Sequence, residues 1–269
     1  MKESGIISLN GGEKVNFREI RMGNIAPNTL YRSSHPIKDN EQEKIISMLA
    51  SQARIQTILN LSDTDSEIKL KSFFAPWYDK LFKAGRVIGL GMDFSNNSER
   101  FSKKLKKGLQ FIINTEGPWL IHCHAGVDRT GFVSIVLESL MGAKLDDIIN
   151  DYLESFNSGF NSSIYGNVNK EDSHVVLQLI SAMGDNMPVN DQNLQAIAEY
   201  YLQKMVKLSA VEIGLLKSKL AGKTENVLTV SKPETPREGT IEYLFKDYSG
   251  ESFKTELTNP IEPVGNEKW

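Results

Sequence analysis

The stretch His122-Cys123-His124-Ala125-Gly126-Val127-Asp128-Arg129-Thr130-Gly131 decides the fold of this chain. Trp119-Leu120-Ile121, just before it, is apolar and strand-like. Just after it, Phe132, Val133, Val136, Leu137, Leu140 and Met141 recur at helical spacing from Thr130 to Met141. The segment therefore reads as strand, tight loop, helix. In such a turn the loop N–H groups point at whatever lies before the helix N-terminus, a geometry that binds anions, phosphate above all.

The residue types define the chemistry. A thiol before a helix N-terminus and beside a cation is driven toward the thiolate, the form that attacks, so Cys123 is the expected nucleophile. Arg129 offers a planar fork of donors matched to two phosphoryl oxygens. Gly126 lets the backbone fold around the anion without a side chain in the way, and Thr130 offers a hydroxyl to the sulfur as a leaving group. A buried, inert thiol is the alternative. It is opposed by Arg129, which would then be an uncompensated charge beside an apolar strand.

His-Cys-x5-Arg-Thr-Gly resembles the signature of the cysteine-dependent protein tyrosine phosphatase superfamily, and its Ala-Gly-x-Asp-Arg-Thr-Gly form resembles the bacterial tyrosine and dual-specificity-like branch. Asn16 to Pro36, Thr57 to Leu61, residues 144 to 153 and the segment through Tyr201-Leu202 to the Leu-Leu near 216 extend the likeness over about residues 15 to 221. It implies a phosphate loop of His124, Ala125, Gly126, Val127, Asp128 and Arg129, with His122 as a buried supporting residue.

A leaving alkoxide or phenoxide needs a proton, and the resemblance places an aspartate on a mobile loop about thirty residues before the cysteine. Asp93, in Gly-Met-Asp-Phe-Ser-Asn-Asn-Ser, stands there; a cap on the helix beginning near residues 96 or 97 is its other reading. Asp128 is the rival acid, with local stiffening of the loop as its plainer role. His124 is expected at the rim. Arg32 and His35 either approach the pocket or lie at the surface. The lysines 103, 104, 106 and 107 read as a solvated helix face, or as a surface for an acidic partner.

Composition sets the bounds. The chain has 269 residues, 40% hydrophobic and 24% charged, enough for one sizeable core. A formal net charge of -3 argues against bulk attraction to nucleic acid or membrane, so substrate anions must be met locally. One cysteine excludes an intramolecular disulfide. His35 and His174 lack ligand spacing to the His-Cys-His run, so no metal and no cofactor is expected. No apolar run approaches twenty residues, so stable membrane insertion is not expected; the cytoplasm is the default compartment, with export if a leader has been removed.

The fold class expected is α/β, a mostly parallel, tyrosine-phosphatase-like central sheet flanked by helices, with a small strand-containing C-terminal extension. Strands are predicted over Val15–Ile20, Thr29–Arg32, Gln56–Leu61, Arg86–Met92 and Trp119–His122. Helices are predicted over Asn40–Ala53, Ser66–Lys83, Asn97–Asn114, Thr130–Met141 and Lys144–Ser155, then near 172–184, 191–206 and 209–221. The polar stretch Asn157–Asn169 is either a rim loop or a surface connection. Residues 1–221 form the expected catalytic domain and residues 222–269 a β-rich extension or tail.

The function expected is hydrolysis of phosphomonoesters through a cysteinyl-phosphate, on phosphotyrosine of proteins first, with phosphoserine and phosphothreonine admitted by a shallow pocket. A phosphoinositide or inositol-phosphate phosphatase is the alternative, disfavoured by Val127 and Asp128 where extra cations would be wanted. A phospho-binding pseudophosphatase without turnover and a rhodanese-like sulfurtransferase are rivals of other classes. The partner is a phosphorylated protein or small phosphomonoester.

Overall fold

The computed structural model describes residues 12–223, apart from 94, 96, 97, 159, 160, 163–167 and 186. The strands expected near Val227, Ile241 and Phe253 lie outside the described residues. Five strands form one sheet: β1 (Arg18–Glu19), β2 (Leu30–Ser33), β3 (Thr57–Asn60), β4 (Val87–Gly89) and β5 (Trp119–His122), in the order β1-β2-β5-β3-β4. β1 runs antiparallel to β2 and every other pairing is parallel.

The parallel strands read as short apolar runs because both faces of the sheet are covered. Leu30, Leu59, Trp119 and Ile121 pack into the core on one face. Tyr31, Ile58 and Leu120, their neighbours along the strands, pack into a second core on the other. The second core is closed by α1 (Asn40–Gln52), α2 (Asp65–Lys71) and α3 (Pro76–Lys83). The first and larger one is closed by α4 (Glu99–Asn114), α5 (Asp128–Leu140), α6 (Leu145–Asn157), α7 (His174–Met183), α8 (Leu194–Lys204) and α9 (Ala210–Leu220). The central helix α5 is almost wholly buried, with Phe132, Val133, Ile135, Val136, Leu137 and Leu140 in the core and a few polar side chains, Glu138 among them, enclosed with them.

Two expectations on element limits need correction. The single helix expected over Ser66–Lys83 is two helices joined by a 3-10 turn at Ser72–Phe74. Pro76, which lacks an N–H and disfavours a helical residue before it, restarts the chain as the first residue of α3. The strand expected over Val15–Ile20 is only Arg18–Glu19, because Val15 ends a 3-10 turn and Asn16 takes a left-handed φ of 54°.

Register is what positions the site. Ser33, His122, Asn60 and Gly89 are mutual partners across β2, β5, β3 and β4, so all four strands end at one level. The segments beginning at Ser34, Cys123, Leu61 and Leu90 therefore leave the sheet side by side at its carboxyl edge, where open α/β sheets bind ligands. Among the described residues no helix is long and apolar enough to cross a membrane.

Candidate active site

β5 ends at His122, and α5 starts at Asp128, so Cys123 to Val127 form the loop between them. Its carbonyls are held from outside. The His124 oxygen accepts from the His35 N–H (3.2 Å), and the Ala125 oxygen from the side-chain amides of Asn16 (3.3 Å) and Asn161 (3.0 Å). The Gly126 oxygen accepts from Asn16 (3.0 Å) and Arg32 Nη2 (2.8 Å), and the Val127 oxygen from the Gly131 N–H (2.6 Å). Among the described residues, none of the N–H groups of His124 to Val127 donates to a protein acceptor. With its carbonyls tied outward the loop turns its donors inward, which is the form of an anion-binding nest.

Gly126 makes this tight turn possible. Its φ is +74°, and a Cβ there would stand 2.5 Å from the Ser33 carbonyl oxygen and 2.7 Å from Asn16 Nδ2.

A buried ionic cluster anchors the clamp. Arg18 donates to Asp151 Oδ1 (2.7 Å), to the Asp151 carbonyl (2.6 Å) and to Ser155 Oγ (2.9 Å), and to the Asn16 side-chain oxygen. Arg32, fully buried, donates to Asp151 Oδ2 and to Ser155 Oγ (2.8 Å) as well as to the loop. Burial alone would raise the Asp151 carboxyl, but the charges and hydrogen bonds of Arg18 and Arg32 hold it below its ordinary value. Nearby Glu138 is raised well above the carboxylate range, by burial first and the Asp151 charge second. Two guanidiniums thus converge on the single Asp151 carboxylate behind the loop.

A second chain of contacts runs beneath Cys123. His122 is fully buried, and burial together with the neighbouring His35 drives its pKa well below the histidine range. The neutral ring lies 3.0 Å through Nε2 from the Tyr78 hydroxyl, which burial keeps protonated. Asn60 donates to that hydroxyl (3.1 Å) and to Asp63 (3.0 Å). Asp63 also meets His35 Nε2 and Lys71 Nζ, each at 2.6 Å. Burial opposes ionisation of Asp63, but these hydrogen bonds outweigh it and depress its pKa strongly.

The expected catalytic residues fall as follows. Cys123 is 2% exposed at the base of the loop. Arg129 is buried and donates through Nη1 to the Met92 carbonyl at 2.9 Å. Met92 precedes Asp93, so the loop's arginine grips the segment that carries the candidate acid. Asp93 is half-buried and accepts from the Ser95 N–H at 3.1 Å. It does not cap α4: Ser98 does, accepting from the Phe101 N–H.

Asp128 is exposed in the first turn of α5 and accepts no hydrogen bond among the described residues, so it does not stiffen the loop. It borders a cleft of about 190 Å3 with Arg129, Phe132 and Tyr152. Thr130 is fully buried, and its hydroxyl has no hydrogen-bond partner among the described residues. His124 is exposed at the rim. Arg32 neither lines the pocket nor lies at the surface but clamps the loop from behind, and His35 holds it through its backbone N–H.

The lysine cluster is less solvated than its spacing predicts. Lys104 donates to the Gly91 carbonyl near Asp93, and Lys106 to the Lys207 carbonyl at 2.5 Å. Among the described residues no group of three or more His, Cys, Asp or Glu side chains could hold a metal ion.

Of the clamp, sequence reasoning weighed only Arg32, as a pocket or surface residue; Asn16, Arg18, Asp151 and Asn161 were assigned no role. Its signals were a charged residue on an apolar helix face, Asp151 among Ile148, Tyr152 and Leu153, and Arg32 within the strand Leu30–Ser33.

Comparison with known proteins places these residues in a wider set. The sequence model of the tyrosine phosphatase family matches residues 13–222. A candidate tyrosine-protein phosphatase of Cupriavidus necator is 53% identical over 36 residues, which is 13% of this chain and 13% of that protein. The chain thus spans a small part of that relative's length. Two structures of the catalytic core of Siw14, one described as a PP-IP phosphatase from S. cerevisiae in complex with citrate, are 21% and 22% identical. They cover 65% of this chain and 96% and 95% of their own, with TM-scores of 0.37 and 0.36. Similarity at that level says nothing of substrate.

Proposed function

This chain belongs to the tyrosine phosphatase family, and we propose that it hydrolyses phosphomonoesters through a cysteinyl-phosphate on Cys123, with phosphotyrosine of proteins as its substrate. It is a phosphatase by family; the intermediate, the residue roles and the substrate are the proposal. The observation that carries it is the asymmetry of the loop. The carbonyls of His124, Ala125 and Gly126 are bonded outward and that of Val127 into α5, while the N–H groups of the same residues meet no protein acceptor among the described residues. A cradle of that kind, one residue past a cysteine and closed by Arg129, supports binding of a phosphoryl group against sulfur.

In this reading the sulfur of Cys123 attacks phosphorus in line with the leaving oxygen. The inward amides and Arg129 hold the equatorial oxygens as charge spreads over them. Asp93 protonates the leaving oxygen and then takes a proton from the water that cleaves the thiophosphate. Arg129 couples binding to this step, since its bond to Met92 places the acid's segment beside the occupied loop. Thr130 offers its hydroxyl to the sulfur as the thiolate is regenerated. Asp128, exposed and without a hydrogen bond among the described residues, is the weaker candidate for the acid. Residues 1–221 constitute the catalytic domain in this reading.

The test is hydrolysis of para-nitrophenyl phosphate, with chelator present, by the native protein and by Cys123→Ser, Asp93→Ala and Asp128→Ala. Loss of all activity in the first and a fall of about 10²–10⁴ in kcat in the second are expected, the size of a general acid's contribution. Full activity in Cys123→Ser would overturn the mechanism. An inactive native protein that still binds vanadate would point to the phospho-binding module instead.

A further inference from the structure

A pocket of about 90 Å3 opens beside the phosphate loop, walled by His124 and Ala125, the two residues after the nucleophile. That is several times the space one water molecule needs, and enough for an oxyanion group. The two cationic side chains in its wall are Lys14, from the turn before β1, and Lys38, from the segment before α1. Its remaining polar lining is hydroxyl, amide and imidazole, and no carboxylate is among the described residues that line it.

We propose that this pocket is a second anion subsite, which binds a further phosphate or carboxylate of the substrate while the scissile phosphate sits in the loop. The proposal rests on the catalytic reading above and adds a preference for substrates with a second anion near the phosphoryl group.

Three observations support it. The pocket is built rather than incidental. Its walls are fixed by the Ser34 N–H to the Val15 carbonyl (2.9 Å), the His35 N–H to the His124 carbonyl, and Asn161 to the Ala125 carbonyl. Both lysines are exposed at its mouth. Second, Gln42 has its side-chain oxygen occupied by the Ser34 hydroxyl at 3.0 Å, so its amide hydrogens are the group it can present to a ligand. Third, the charge is local. The His124 ring, lowered first by burial and next by the Lys38 ammonium, registers the cation's proximity to the loop, in a chain whose formal net charge is -3.

The loop itself, with Val127 and Asp128 at its variable positions, offers no cation besides Arg129 to a second anion. The lysines beside it supply that charge from two separate elements. An ion pair made to a charged donor in a shaped site contributes roughly a tenfold gain in affinity per contact.

The experiment measures competitive inhibition of para-nitrophenyl phosphate hydrolysis by inorganic phosphate, by inositol hexakisphosphate, and by phosphotyrosyl peptides with acidic or neutral flanks. The proteins compared are native, Lys14→Gln, Lys38→Gln, the double variant, and Lys103→Gln as a control for bulk charge. Lys103 pairs with Glu99 on the surface of α4.

The expected result is that a polyanion competes about a hundredfold better than inorganic phosphate, and that each pocket substitution removes about tenfold of that advantage while Lys103→Gln leaves it. The probe whose advantage depends on the lysines, inositol phosphate or acidic peptide, identifies the source of the second anion. An advantage unchanged in the double variant, reduced as much by Lys103→Gln, or absent from the native protein overturns the proposal. If the native protein hydrolyses nothing, the catalytic reading fails separately. Calorimetric titration of the same ligands into the same variants then decides the subsite by the same ratios.

Discussion

Gly126→Ala tests the loop argument most directly, and Gly142→Ala supplies its control. Both glycines have φ of +74°, so alanine meets the same backbone cost at either place, on the order of 1–2 kcal/mol. Their surroundings differ. At Gly142 the nearest atoms to an added Cβ are side-chain atoms of Asn24 and Gln195 at 3.5 and 3.8 Å, ordinary contacts. At Gly126 they are the Ser33 carbonyl oxygen at 2.5 Å, Asn16 Nδ2 at 2.7 Å and the Ser33 carbonyl carbon at 2.8 Å.

Ser33 ends β2, which is bonded on both sides, so it yields little. Reaching even a 3.4 Å contact requires a movement of about 0.9 Å, the difference between 3.4 and 2.5, and the loop is the part free to make it. That displacement strains the bonds of the Gly126 carbonyl to Arg32 and Asn16. Overpacking of this kind costs roughly 1–3 kcal/mol beyond the backbone term. A 1 Å misplacement of catalytic groups costs about a hundredfold in rate.

Urea unfolding and kcat/KM on para-nitrophenyl phosphate are the assays. Gly142→Ala is expected to lose about 1–2 kcal/mol with unchanged kcat/KM; Gly126→Ala is expected to lose roughly 2–5 kcal/mol and about a hundredfold in kcat/KM. A Gly126→Ala protein as stable as Gly142→Ala and within threefold of native activity would refute the claim that the outward clamp sets the loop.

Further outcomes follow from the buried networks. Asp151→Asn leaves Arg18 and Arg32 buried without their carboxylate and should cost about 3–5 kcal/mol in urea unfolding; a loss under 1 kcal/mol would mean the cluster is not desolvated. Tyr78→Phe strands His122 Nε2 and one Asn60 donor, for a loss of about 1–3 kcal/mol with the fold retained. Asp63, depressed in the folded state, contributes stability that is fully present above its unfolded pKa near 3.9 and is lost as pH falls from there toward the folded value. The native-minus-Asp63→Asn stability difference should therefore shrink below about pH 4; a difference that grows on acidification would reverse the assignment. Peroxide should inactivate the enzyme and added thiol restore it while oxidation is at the sulfenic stage, since the chain carries no second cysteine to resolve it. Inactivation that thiol never reverses, even after brief exposure, would contradict this.

Much of this protein is legible without coordinates. Trp119-Leu120-Ile121 and the apolar run of α5 specify a strand and an enclosed helix because backbone hydrogen bonding and burial act over a few residues. The loop between them is defined by local chemistry alone, and its residues stand together by chain continuity. The break at Pro76 was legible too, from the missing N–H, though the amphipathic spacing on either side conceals it.

What periodicity cannot convey is partnership across the sheet. Asn16, Arg32 and Asn161 converge on two adjacent carbonyls from three separate segments, and Asp151 holds Arg32 from a fourth. No spacing along the chain records that convergence; the register that aligns Ser33, His122, Asn60 and Gly89 does.

The sequence by itself determined the α/β class, the nucleophile's loop and the type of chemistry, because these depend on residue identity and on contacts made within one turn or one strand. Only the tertiary structure decided which way the loop's carbonyls face, that Arg32 clamps rather than binds, and that Lys14 and Lys38 share a pocket with His124. Those facts rest on desolvation and hydrogen bonding between residues as many as 137 positions apart, which folding alone brings within 3 Å of one another.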